Sequence, residues 1–145
     1  MLFPNANTII TGTKPDTSFK DVDNLNDGAY YADRNKCYVS DKVPASHIFV
    51  MVKFPSVVKV SSVTIRNQHA GDRSNLFVNF EIRVGNYSSQ TDFHRNELFT
   101  KIVFGDIDVN DKDYLFTANQ PVYGKYVTLE ELEGDQMRVC ILEIF

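Results

Sequence analysis

Short apolar runs broken by turn-forming residues dominate the chain. Residues 47–54 (HIFVMVKF), 57–66 (VVKVSSVTIR), 77–84 (FVNFEIRV), 99–104 (FTKIVF), 124–129 (GKYVTL) and 138–145 (RVCILEIF) are rich in β-branched and aromatic side chains, and such residues favour strands. In the segment Phe80-Glu81-Ile82-Arg83-Val84 apolar and polar residues alternate, the period of a strand with one face buried. Residues 48–52 are continuously apolar, which suits a strand covered on both faces or a buried core strand of a sandwich. Residues 130–135 (EELEGD) are interrupted by Gly134 and predict a hairpin connection rather than a helix start. Nowhere do ten or more residues keep a helical period. Many short strands with turn signals between them predict an all-β, antiparallel β-sandwich.

The first 45 residues carry a different pattern. Asn5, Asn7, Pro15, Asp16, Asp21, Asp23, Asn24, Asn26, Asp27 and Gly28 make this region rich in loops. Long ordered loops often carry function, and a plain cover over one end of the sandwich is the simpler alternative. Neither a repeat nor a low-complexity tract divides the chain, so residues 1–145 are expected to form one domain. A length of 145 residues and a mass of 16.5 kDa fit that expectation.

Fifteen Lys and Arg against nineteen Asp and Glu give a net charge of −4. That balance speaks against nucleic acid as a partner, since such domains usually carry a strongly basic face. The apolar runs are too short for a membrane-spanning helix. The opening residues MLFPNANTII lack the pattern of a signal peptide, which fits either a cytosolic protein or a mature fragment with an added Met1. GxSxG, HExxH, phosphate-loop and calcium-loop motifs are all missing, and His47, His69 and His94 have no metal-ligand spacing. The expectation is that the chain is not an enzyme. Cys37 and Cys140 have no CxxC neighbour. On composition they are either one disulfide closing a loop of about 100 residues, worth roughly 4–5 kcal/mol, or two buried thiols acting as small hydrophobes. Asn86-Tyr87-Ser88 is an N-glycosylation sequon.

Five blocks, in order, resemble the F-type (fucose-binding) lectins of the discoidin-like, or galactose-binding-like, β-sandwiches. Phe80–Asn86 reads FEIRVGN, as in that family, and residues 124–129 (GKYVTL) and 139–145 (VCILEIF) stand where the family has GRYV.V.L and LCEVEV strands. Asn24-Leu25-Asn26-Asp27-Gly28-Ala29 takes the place of a NAVDGN loop, Cys37-Tyr38-Val39-Ser40 that of CSHT, and residues 49–54 that of PWWRVDL. The similarity covers roughly residues 20–145. It implies a jelly-roll sandwich, a Cys37–Cys140 disulfide, and an extracellular or secreted setting, alone or as the ectodomain of a larger protein.

The resemblance also implies a ligand site. F-type lectins hold fucose with a histidine, an arginine, an aspartate and a second basic residue at fixed spacing. Guanidinium and imidazole groups offer several donors to sugar hydroxyls, and an apolar wall covers the C–H face. Here twenty-six residues separate Val39, in the histidine's place, from Arg66; Gln68 replaces the aspartate and Arg73 follows at the family's separation. The candidate ligand-binding residues are therefore Arg66, Gln68, His69, Arg73 and Tyr38. His69 and His47 are candidates to replace the missing imidazole, and Tyr30, Tyr31 and Tyr38 are candidate stacking walls. Without the resemblance, Arg66 reads as a solvated strand-end cation and Arg73 as a loop cation paired with Asp72. The family's structural calcium implies Asn24, Asp27, Ala29 and Cys140 as metal ligands, with Lys36 as a further carbonyl donor, although Ile141 stands where a glutamate usually follows the last cysteine. Calcium takes six to eight oxygens, and the alternative is an Asp-Gly turn capped by its own side chain. The implied partners are glycans or glycoproteins, in recognition or adhesion. The rival is a discoidin-type module gripping protein or lipid, with Leu76 and Phe77 beside Arg73 as a candidate apolar spike. Membrane contact and oligomeric state are left open by the sequence.

Overall fold

The computed structural model describes residues 1–15, 21–26, 37–41, 48–66, 80–102, 113–132 and 136–145. Its strands are β1 (Ile9–Gly12), β2 (Tyr38–Val39), β3 (Ile48–Arg66), β4 (Phe80–Gly85), β5 (Glu97–Ile102), β6 (Asp113–Glu131), β7 (Arg138–Val139) and β8 (Ile141–Ile144). All pairings between them are antiparallel. Helical structure among the described residues is confined to two 3₁₀ turns, Val22–Asn26 and Gln90–Arg95.

Two long strands organise the molecule. β3 and β6 each run for 19 residues and pair along most of that length. The sequence pattern divides β3 into two runs, 47–54 and 57–66; the structure joins them. The join is possible because the β3–β6 register breaks between Lys53 and Val58 and again between Val60 and Ser62. Pro55, which has no N–H to give a ladder, falls inside the first break. Before the breaks β3 lies between β1 and β6, in the order β1-β3-β6-β4-β5; after them it lies between β8 and β6. The same two strands thus serve both layers of the sandwich.

Between the layers the inward positions interdigitate. Ile48, Val50, Val52, Val63 and Ile65 of β3, Ile82 and Val84 of β4, and Val127 and Leu129 of β6 have no solvent exposure and belong to one core cluster. The second face of the stretch 48–52 is only partly covered: Phe49 and Met51 are half-buried, and Phe93, from the turn Gln90–Arg95, packs edge-on against Phe49 with ring centroids 5.4 Å apart.

The FEIRVGN block is explained by this covering turn. Arg83 bonds Glu81 at 2.8 Å and also donates to the carbonyls of His94 and Asn96. Asn96 in turn holds both the N–H and the C=O of Tyr87 at 2.9 Å. Gly85 is required because a Cβ there would meet the Asn96 side chain at 2.2 Å. Asn86 Oδ1 accepts the N–H of Lys125. Arg83 thus fastens the turn to the sheet, and Asn86 fastens the end of β4 to β6.

β3 also folds back on itself. Phe49, near its start, bonds Thr13 through both N–H and C=O, and Tyr38 Oη donates to the Thr13 carbonyl. Cys37, beside Tyr38, is bonded to Cys140, whose N–H donates to the carbonyl of Arg66, the last residue of β3. Both ends of β3 therefore lie at one end of the sandwich. Two rows of paired residues mark that end: Ile48–Glu131–Phe80–Ile102 in one layer and Asp113–Arg66–Ile141 in the other. The segments 42–47, 67–79, 103–112 and 133–135 attach at or within a few residues of these rows; we call it the loop end.

Candidate functional site

The floor of the loop end is the small β2–β7 ladder, in which Tyr38 pairs with Val139 and Val39 with Arg138. Two residues are too few to show a period, and both faces of both strands are buried. Ser40 extends the ladder: its N–H reaches the Met137 carbonyl at 2.8 Å, its Oγ accepts the Met137 N–H at 2.8 Å, and its carbonyl accepts from Gln136 Nε2 at 2.9 Å. The disulfide Cys37–Cys140, with Cα atoms 4.2 Å apart, ties this floor to β8. The pairing implied by the resemblance is thus present, and the alternative of two free thiols is set aside.

Arg66 sits at the edge of this floor, its carbonyl 2.8 Å from the Cys140 N–H. It is only 9% exposed, so it is an enclosed guanidinium and not the solvated cation of the simpler reading. Val39, in the histidine's place, has no exposure at all. A buried hydrocarbon cannot donate to a sugar hydroxyl, so nothing at that position replaces the imidazole. Gln68, His69 and Arg73, with His47, Tyr30, Tyr31, Leu76 and Phe77, lie outside the described residues.

Tyr38 requires a correction. Its ring is wholly buried, and its hydroxyl bonds the Thr13 carbonyl at 2.5 Å. Burial, with a smaller contribution from the nearby charge of Asp21, pushes its phenol well above the ordinary range. The ring presents no face to a ligand. It is a core residue that fastens β2 to the strand-end at Thr13.

Sequence reasoning passed over Arg138, which is 2% exposed and pairs with Val39 across the floor. No alternation marks it, since Val139 and Cys140 beside it are buried as well. Two enclosed arginines, Arg66 and Arg138, therefore flank Cys140 through the backbone.

Of the implied calcium ligands, Asn24 and Cys140 are described. Asn24 belongs to the turn Val22–Asn26, which packs against β1 and β2, and β2 is tied to Cys140 by the disulfide. Asp27, Ala29 and Lys36 lie outside the described residues. Among the described residues no group of three or more His, Cys, Asp or Glu side chains forms a metal cluster. The proposed function is not routed through an ion. A separate cleft of about 450 Å³ lies between the start of β5 and the middle of β6, lined by Glu97, Leu98, Thr117 and Asn119 among others; none of the predicted site residues lines it.

No family model matches the sequence, and no curated protein matches it. Solved structures do match the fold. An F-lectin (fucolectin) from striped bass (Morone saxatilis) serum superposes with a TM-score of 0.77 at 19% identity, over 95% of this chain. The chain has the galactose-binding-like fold of the F-type lectins. This sandwich spans 46% of the length of the bass lectin, so about half of that protein has no counterpart here. A fucose-binding module of Streptococcus pneumoniae matches 100% of this chain and 94% of its own, with a TM-score of 0.72 at 14% identity. A family 32 carbohydrate-binding module of Clostridium perfringens NanJ, solved with galactose, matches 97% and 95%, with a TM-score of 0.70 at 15% identity. The galactose-binding-like sandwich is thus shared with lectins and carbohydrate-binding modules.

Proposed function

We propose that the chain is a non-enzymatic glycan-binding module whose ligand rests on the loop end of the sandwich. The observation that carries this reading is Arg66: an enclosed guanidinium, only 9% exposed, braced from behind by a disulfide-anchored backbone bond. Rigid backing of this kind lowers the ordering cost of binding, and a guanidinium offers up to five donors in a fixed fork. Arg73, seven residues on, is the second donor of the proposal, with Gln68 and His69 completing the set. The lectins and carbohydrate-binding modules that share the fold support the same class of ligand.

The ligand is fucose or a related sugar, held with altered specificity. Val39 is the reason: removal of a donor to a ring hydroxyl costs about 1–3 kcal/mol, or about five- to 150-fold in affinity. Partners on this reading are glycans or glycoproteins outside the cell, a setting in which the Cys37–Cys140 bond is stable.

A glycan array probed with wild type, Arg66→Lys, Arg66→Ala and Arg73→Ala tests the proposal, with thermal melts confirming that each variant folds. Binding that is present in wild type, weakened in Arg66→Lys and lost in both alanine variants is expected. A folded wild type that binds no glycan, or folded alanine variants that bind as well as wild type, overturns it.

A further inference from the structure

We infer that Asn86 is an N-glycosylation site, and that its position keeps the attached oligosaccharide clear of the loop end. This goes beyond the ligand reading and rests on export from the cell, not on glycan binding by the module.

Asn86 is the chain's single asparagine followed by the x-Ser/Thr pattern, the acceptor signal for this modification. The fold presents it in the form the chemistry needs. Asn86 is exposed, and its Oδ1 is occupied by the Lys125 N–H at 3.2 Å. Nδ2, the atom that would be modified, donates to no acceptor among the described residues. The neighbouring backbone is rigid: both polar groups of Tyr87 are held by the Asn96 side chain, and the Arg95 guanidinium stacks 4.1 Å over the Tyr87 ring. Ser88 is exposed too. An attached chain at Nδ2 therefore disturbs no core contact and no ladder bond.

Placement gives the second half of the inference. Phe80 begins β4 in the loop-end row, and Gly85 closes the six-residue strand. At about 3.3 Å per residue, Asn86 stands some 17–20 Å from that row, at the opposite end of β4.

The chemical step is a glycosyl transfer from a lipid-diphosphate-linked oligosaccharide. Nδ2 bonds to the anomeric carbon, the bond from that carbon to the diphosphate oxygen breaks, the lipid diphosphate leaves, and one amide proton is released. Neither oxidant nor reductant takes part.

The test is expression of the full 145-residue chain behind a cleavable leader in a eukaryotic cell line, reading both secreted and intracellular pools. Wild type is expected to collapse to a faster gel band on treatment with an asparagine-glycan amidase. Treatment in heavy-oxygen water should convert Asn86 to a labelled aspartate, read by peptide mass spectrometry. Asn86→Gln and Ser88→Ala should each abolish the shift, the second without touching the Lys125 bond, and Ser88→Thr should restore it. Disulfide-bonded wild type carrying an unmodified Asn86 peptide overturns the site, as does a shift that survives Ser88→Ala. A glycan array before and after amidase treatment tests the placement: equal binding is expected, and a change in binding on removal refutes it. A module that binds no glycan would sink the ligand proposal and leave the occupancy result standing.

Discussion

Gly124 in β6 gives the sharpest test of the packing. A Cβ built on it would lie 2.4 Å from Gly85 N and 2.7 Å from both Gly85 Cα and Gly85 O, closer than real Cβ contacts come. All three atoms are backbone, so no rotamer change relieves the overlap, and β4 must draw away from β6. The ladder there runs Val84–Val127 and Gly85–Tyr126. Overpacking costs about 1–3 kcal/mol, and opening one or two ladder bonds adds about 1 kcal/mol each. Gly124→Ala should therefore lose about 2–5 kcal/mol, a large part of the roughly 5–15 kcal/mol by which such domains are stable. For a chain of this size that corresponds to a fall in Tm of about 4–20 °C. Urea titration and thermal melting followed by circular dichroism read both quantities. Gly85→Ala is the companion, since its Cβ meets the Asn96 side chain at 2.2 Å rather than backbone. Combining it with Asn96→Ala should recover part of the loss. A Gly124→Ala variant within about 1 kcal/mol of wild type would refute the close approach of the two strands.

Three further outcomes are expected. Replacing both cysteines by alanine should cost about 4–5 kcal/mol in the chain-entropy model, since the bond spans 103 residues; chemical denaturation checks this, and a loss below about 1 kcal/mol would contradict it. Tyr38→Phe removes a buried bond to the Thr13 carbonyl and should cost about 1 kcal/mol in the same assay. Glu81 titrates with a definite sign. Burial pushes its carboxyl up, but bonds from Arg83 and Lys101 outweigh it and hold the group below its usual 4.5. The unfolded chain thus binds this proton more readily than the folded one, so the stabilisation is present above the unfolded value and drains away as pH falls through the folded one. Thermal melts in that acid range should show Glu81→Gln losing less stability than wild type; equal losses would show that Glu81 is not the group responsible.

The class of fold was legible because strands announce themselves locally. Residues 80–84 show the inward face in their own pattern, but not that Glu81, on the other face, is buried too, because the turn that covers it comes from residues 90–95. The continuity of β3 and β6 was not legible, since a strand that breaks register at Lys53 and Val60 looks in sequence like two strands with a turn. The first half of β6 was missed for a related reason: Leu115, 64% exposed, hides the alternation of Tyr114, Phe116 and Ala118. Arg66 was picked out by its spacing in the family motif, and the structure places it at the disulfide-backed end. Tyr38 could not be read correctly, because its burial depends on Thr13, twenty-five residues away. Arg138 was not legible, because Val139 and Cys140 beside it are buried as well and no alternation marks the position.

Phe3 bridges Ile144, and the carbonyl of Phe145 accepts the N–H groups of Ser61 and Ser62. The two chain ends therefore meet as neighbours, while β8 carries Ile141, at its other end, to the loop-end row. A tether attached at either terminus leaves from the side away from Arg66. Copies strung in tandem, or fused to an oligomerising stalk, would all display their loop ends outward. In such an array weak individual contacts combine by effective concentration, and avidity of the order of 10²–10⁴ over a single copy becomes reachable without any change to the binding surface.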